Sequence, residues 1–102
     1  NMADLFTVNK SPFEKNSLEN AINFSAEASS ILLIEDGVYG ASKGTACESM
    51  ITGAAGKKFY ALKSDLKARG IADDRLIDGV EVVDYAGFVE LVCSTDKTQA
   101  WL

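Results

Sequence analysis

The chain has 102 residues, 47% of them hydrophobic, enough for one compact core and too few for a second domain. Ten basic residues against fifteen acidic ones give a formal charge of −5 with no basic cluster, which argues against direct binding of a nucleic-acid backbone. Histidine is absent, so imidazole-dependent triads and most zinc sites are excluded, and any chemistry falls to thiols, carboxylates or partners.

In chain order, Asp4 to Val8 reads as a first strand. The following Ser11, Pro12 and Glu14 have the spacing of a capping box with proline at the first helical position, which predicts a turn or a helix start. Asn16, with Glu19 three residues on, is placed to cap a helix. That helix sets Leu18, Ala21, Ile22, Phe24 and Ala28 on one side and Glu19, Asn20, Asn23 and Glu27 on the other.

Ser30 to Ile34 is the most informative run. Four continuous apolar residues break abruptly into Glu35, Asp36 and Gly37, as expected of a strand buried on both faces that ends at a turn. Open α/β folds place ligands and partners at the carboxyl ends of such strands, which directs attention to Glu35 to Tyr39.

Thr45 to Ala55 gathers Cys47, Met50, Ile51 and Ala54 at helical spacing and is stopped by Gly56. Lys58 to Leu62 is a third strand. Ser64 is placed to cap a short helix through Arg69, with Gly70 and Ile71 as a Schellman ending. Asp78-Gly79 turns the chain into a fourth strand, Val80 to Val83. Asp84 caps a helix whose inner face carries Tyr85, Phe88, Val89, Leu91 and Val92, and Thr98 to Leu102 closes as a fifth strand.

The alternation predicts a single α/β domain over 2–102: a three-layer α/β/α arrangement with a mainly parallel five-stranded sheet, right-handed crossovers and helices on both faces. Asn1 ahead of Met2 is expected to be a cloning remnant. Without an export signal or a stretch of the roughly 20 apolar residues a membrane-spanning helix needs, the expected location is the cytoplasm.

Nucleotide motifs are missing. No G-x-G-x-x-G turn follows the first strand, Gly40 to Thr45 lacks the order of a P-loop, and Asn9 and Lys10 stand where a phosphoacceptor receiver needs acids. No metal or cofactor is expected.

Two candidate thiols remain. Cys47, in the middle of an apolar helical face, reads as a small buried hydrophobe. Cys93 lies at the edge of its helix's apolar face, closer to solvent, where Glu90 and Asp96 disfavour a thiolate. Glu35 and Asp36 suit capping of the turn better than acid–base work, and Phe13, Tyr39 and Trp101 are candidates for a contact surface.

Five strings, taken together, resemble the TusB/DsrH family of sulfur-relay subunits, closest to the DsrH branch. They are Thr7-Val8-Asn9-Lys10-Ser11-Pro12-Phe13, Glu35-Asp36-Gly37-Val38-Tyr39, Asp65-Leu66-Lys67-Ala68-Arg69-Gly70, Val83-Asp84-Tyr85-Ala86-Gly87-Phe88-Val89 and the ending Gln99-Ala100-Trp101-Leu102. The resemblance runs from Leu5 to Leu102. It implies a non-enzymatic accessory subunit of a heterohexamer that carries sulfur as cysteine persulfide, with DsrE/TusD-like and DsrF/TusC-like chains as partners and a downstream acceptor protein. The carrier cysteine is then expected on the DsrE/TusD-like partner. The sulfur's destination is either 2-thiolation of the tRNA wobble uridine or cytoplasmic sulfur oxidation.

One departure bears on the role. Family members with their own cysteine early in the first helix have it at the position of Ala21 here, so sulfur carriage does not transfer to this chain. Lys10, Phe13, Glu35, Asp36, Gly37, Tyr39 and Trp101 are then the expected partner interface, and self-association is expected of the isolated chain. Two other readings stay open: a stand-alone small-molecule-binding module using Glu35 to Tyr39, and a thiol enzyme centred on Cys93.

Overall fold

The apolar run Ser30–Leu33 is the central strand of a five-stranded sheet in which every pairing is parallel. The computed structural model describes residues 4–26, 28–54 and 56–102. Glu27 of the first helix's polar side, Ala55 at the expected end of the second helix, and Asn1 and Met2 lie outside the described residues. The strands are β1 (Leu5–Val8), β2 (Ser30–Leu33), β3 (Lys58–Leu62), β4 (Val80–Val83) and β5 (Thr98–Trp101), in the order β4-β3-β2-β1-β5. The helices are α1 (Ser17–Phe24), α2 (Ala46–Thr52), α3 (Lys63–Ala68) and α4 (Tyr85–Ser94). Among the described residues no helix is long and apolar enough to cross a membrane.

The two faces of the sheet are covered unequally. Alternate strand residues point to opposite sides. Phe6, Val8, Ile31, Leu33, Phe59 and Ala61 join Leu18, Ala21, Val38, Cys47, Ile51 and Leu66 in the main core, so α1, α2 and α3 share one face. The intervening positions, including Tyr60, Glu81 and Val83, face α4, the one helix on the other side among the described residues. Gly87 lets α4 come close, since a Cβ there would stand 3.1 Å from that of Val83.

Several local expectations hold in detail. The Asp84 carboxylate accepts from the Gly87 N–H at 2.9 Å, capping α4. After α3, Gly70 donates to Lys67 O (3.1 Å) and Ile71 to Leu66 O (3.0 Å), with Gly70 at φ +69°, which is the Schellman pattern.

Others are corrected. The Ser11-Pro12-Glu14 signal makes a turn, in which Ser11 Oγ accepts from Phe13 N–H at 3.2 Å. Asn16 sits at the start of α1 but its side chain makes no capping bond, because its backbone is not extended (φ −86°, ψ 23°). Ser64 lies inside α3, which begins one residue earlier, after Leu62. Helix α2 ends at Gly53 and not at Gly56. Ala28 is exposed beyond the end of α1, and Phe24, expected inward, is 65% exposed, its ring T-shaped to Phe6 and tilted against Trp101 (centroids 6.2 and 5.5 Å). On α4, Tyr85, Val89 and Val92 point to solvent, and only Gly87, Phe88 and Leu91 are half-buried. A 3-10 turn at Asp73–Arg75 was not anticipated, nor was the burial of Leu76 and Ile77 that follows it.

Candidate functional site

At the carboxyl end of β2 the chain does not form an open loop. Glu35–Ala41 winds into a 3-10 helix, with Val38, Gly40 and Ala41 buried and Glu35, Asp36 and Tyr39 outside. The reason is packing: an ideal Cβ on Gly37 would fall 2.0 Å from the carbonyl oxygen of Val8, so only glycine lets this turn cross the end of β1 so closely. The same carbonyl accepts the Ile34 N–H at 3.0 Å. Gly37 is therefore buried, and its contribution to this surface is the position it gives its neighbours.

Glu35 adopts φ +50°, an uncommon conformation for a residue with a Cβ. Its backbone N–H donates to Asp65 Oδ2 at 2.7 Å, and its side chain accepts from Asn9 Nδ2 at 3.3 Å. Beside it, Arg69 Nε donates to Asp36 Oδ1 at 2.9 Å, and Arg69 Nη1 lies 3.7 Å from Asp65 Oδ1. The Asp36 hydrogen bond holds the guanidinium firmly charged, its pKa raised above the ordinary value. The anticipated capping role of Glu35 and Asp36 is thus reversed. Neither caps the turn; Asp65 of α3 and Arg69, the residue that ends that helix, hold it from outside.

These groups form a rim where β1 and β2 end. Lys10 and Phe13, on the loop after β1, are both exposed, Phe13 by 65%. Trp101 is half-buried at the end of β5, paired in register with Val8. The order of the strands reverses between β1 and β5, so Asn9 and Trp101 flank the switch point of the sheet. Trp101 Nε1 and Asn9 Oδ1 are buried there without a hydrogen-bond partner. Ser17 Oγ donates to the Leu102 carbonyl at 3.2 Å and fastens the chain end to α1.

The thiols lie elsewhere. Cys47, 2% exposed, packs in the main core with Thr45 Oγ1 accepting its N–H at 3.2 Å, and burial pushes its thiol pKa up. Cys93 is exposed on α4. Ala21 is completely enclosed among the core residues of α1 and the sheet.

Sequence reasoning singled out the residues of this rim but not Asp65 and Arg69, in and just after α3, that brace it. Asp65 and Arg69 stand one helical turn apart and so share a face, but that pattern alone does not say what the face meets.

The fold is a small doubly wound parallel α/β domain with its polar network gathered at the strands' carboxyl ends. The family model described as DsrH like protein matches residues 10–98, and the chain belongs to that family, TusB/DsrH. It is 38% identical over 98 residues to Protein TusB of Photorhabdus laumondii, covering 95% of this chain and 99% of the relative. It is 31% identical over 97 residues to Protein TusB of an Enterobacter species, with the same coverage. The crystal structure of the ychN protein from E. coli shares the fold, with a TM-score of 0.82 at 21% identity, over 98% of this chain and 99% of that one.

Proposed function

We propose that this chain is a non-catalytic, accessory subunit of a cytoplasmic persulfide-relay complex, assembled with two homologous small α/β chains as a heterohexamer. The observation that carries this reading, beside family membership, is the disposition of its thiols. The one inside the core is enclosed with its pKa raised, the position of the family's early-helix cysteine is a buried alanine, and the chain has no imidazole to activate the exposed Cys93. Sulfur transfer needs an accessible thiolate that attacks a sulfane sulfur and passes it on. That thiolate is assigned to a DsrE/TusD-like partner, and this chain contributes the alignment of subunits.

Lys10, Phe13, Glu35, Asp36, Tyr39 and Trp101 form the rim proposed to meet a partner, with Gly37 fixing the turn that presents it. The braced 3-10 turn supports an interface more than a small-molecule pocket, because its polar groups are already engaged with one another. The TusB name carried by relatives along nearly the whole chain favours tRNA wobble-uridine 2-thiolation over sulfur oxidation as the destination.

The test is co-expression with the two homologous chains of the same organism and native mass spectrometry of the purified product. A species with two copies of each chain supports the role. A chain that purifies alone, with its homologues forming their own complex without it, contradicts it.

A further inference from the structure

We infer that the sheet face bearing α4 binds a different protein chain, one that presents an apolar patch bordered by lysine or arginine side chains. The inference rests on the accessory-subunit reading and assigns it a second contact surface, on the flank of the sheet and away from the rim at its carboxyl ends.

Parallel sheets are ordinarily covered on both faces. Here three helices and a 3-10 turn close one face, whereas among the described residues α4 is the one helix on the other. A helix apolar on all sides belongs in an interior. Helix α4 has a single charged residue, Glu90, among its ten, yet none of its residues is buried. Tyr85, Val89 and Val92 are 72%, 42% and 38% exposed. Between α4 and strands β3 and β4 runs an open groove of about 560 Å³, with Tyr60, Val83 and Leu91 as apolar lining and Glu81, Glu90 and Cys93 beside them.

Charge selects the occupant. From Val80 to Asp96 the chain carries Glu81, Asp84, Glu90 and Asp96 and no lysine or arginine, and the groove lining contains no cation. Lys58 and Lys97, at the amino-terminal ends of β3 and β5, and Lys63, beside Val83 and Asp84 at the other end of β3, all stand outside that lining. Two copies of this chain packed through the α4 face would set carboxylates against carboxylates around an apolar centre, an arrangement that costs affinity. A chain with basic side chains at the border of an apolar patch satisfies both features.

Cys93 is a native reporter on this groove, with enclosed Cys47 as internal control. The experiment compares N-ethylmaleimide labelling of the isolated chain with labelling of the complex purified with its two homologous chains, and repeats assembly with Glu81→Lys and Glu90→Lys. Both glutamates are exposed, so the variants fold, as circular dichroism checks. Expected are labelling of Cys93 in the isolated chain at the rate of an exposed thiol, loss of that labelling in the complex, and an association rate about tenfold lower or more for the double variant at low salt. A complex that forms while Cys93 labels at the free-chain rate and the variants assemble normally overturns this inference and leaves the accessory role standing. Protection of Cys93 in a homodimer of the isolated chain overturns the choice of a different chain. Failure of any complex to form overturns the accessory role itself.

Discussion

Asp65 Oδ2 accepts the backbone N–H of Glu35 at 2.7 Å, so a carboxylate on α3 supplies the capping interaction that the turn after β2 does not find in its own sequence. The bond spans 30 residues and meets a backbone in the left-handed region, whose cost is about 1 kcal/mol for a residue with a Cβ. A distant side chain therefore fixes the surface that Glu35, Asp36 and Tyr39 present.

Replacing Asp65 tests that relationship. Asp65→Ala removes a charge-assisted hydrogen bond and is expected to lower stability by about 1–2 kcal/mol, read from urea unfolding. Asp65→Asn keeps an acceptor oxygen and loses less. Asp36→Ala breaks only the solvent-facing ion pair with Arg69 and costs about 0–1 kcal/mol. Equal losses for Asp65→Ala and Asp36→Ala would show that the brace is an ordinary surface pair.

Gly37→Ala is expected to be among the most damaging single-atom additions in the chain. The added Cβ meets the Val8 carbonyl, which is backbone and cannot swing away, so β1 or the 3-10 turn has to shift, at about 3 kcal/mol. Thermal melting of the variant checks this. A melting temperature equal to that of the parent would mean that the turn does not cross β1 so closely.

Thiol titration separates the two cysteines. With an aromatic disulfide reagent, Cys93 reacts in the folded chain at the rate of an exposed, unactivated thiol, and Cys47 reacts only on unfolding. Burial raises the Cys47 pKa, and the opposing hydrogen bond with Thr45 is the smaller influence. In the unfolded chain the thiol loses its proton near about pH 8.5, while the folded chain still holds it, so stability falls as pH rises through that value towards the folded pKa. Cys47→Ala removes this component. Its unfolding midpoint is expected to fall less between pH 7 and pH 10 than that of the parent, and parallel curves would contradict the assignment.

At the chain end, Trp101 keeps its ring against Phe24 while its indole N–H finds no acceptor. Trp101→Phe preserves a ring and removes the unpaired donor, so its stability should lie within about 1 kcal/mol of the parent's. Trp101→Ala should cost about 2 kcal/mol, less than a fully enclosed aromatic because the ring is half-buried. A large loss in Trp101→Phe would reveal a partner for the N–H.

Much of this architecture is legible in the residues because local signals and global packing agree. The bounds of β3 and β4, the cap at Asp84 and the Gly70 ending follow from period, capping chemistry and the need for a positive φ. Where tertiary contact decides, the reading goes astray. Tyr85, Val89 and Val92 form an apolar stripe at helical spacing, which reads as a core face, but spacing cannot distinguish a core from a surface left open on one chain. The brace of Asp65 and Arg69 is likewise invisible, because it depends on α3 passing beside a turn thirty residues away. Leu76 and Ile77 were the readable signal missed: an apolar pair between Arg75 and Asp78, buried beside the Ser42–Leu76 bridge.

The accessory role is tested most directly by locating the sulfur. The assembled complex is loaded from a persulfide donor, alkylated, digested and mapped by mass spectrometry. The expected result is persulfide on a cysteine of a partner chain, with Cys93 and Cys47 unmodified. Persulfide on Cys93 or Cys47 that discharges to an acceptor would make this chain a carrier and contradict the role proposed for it.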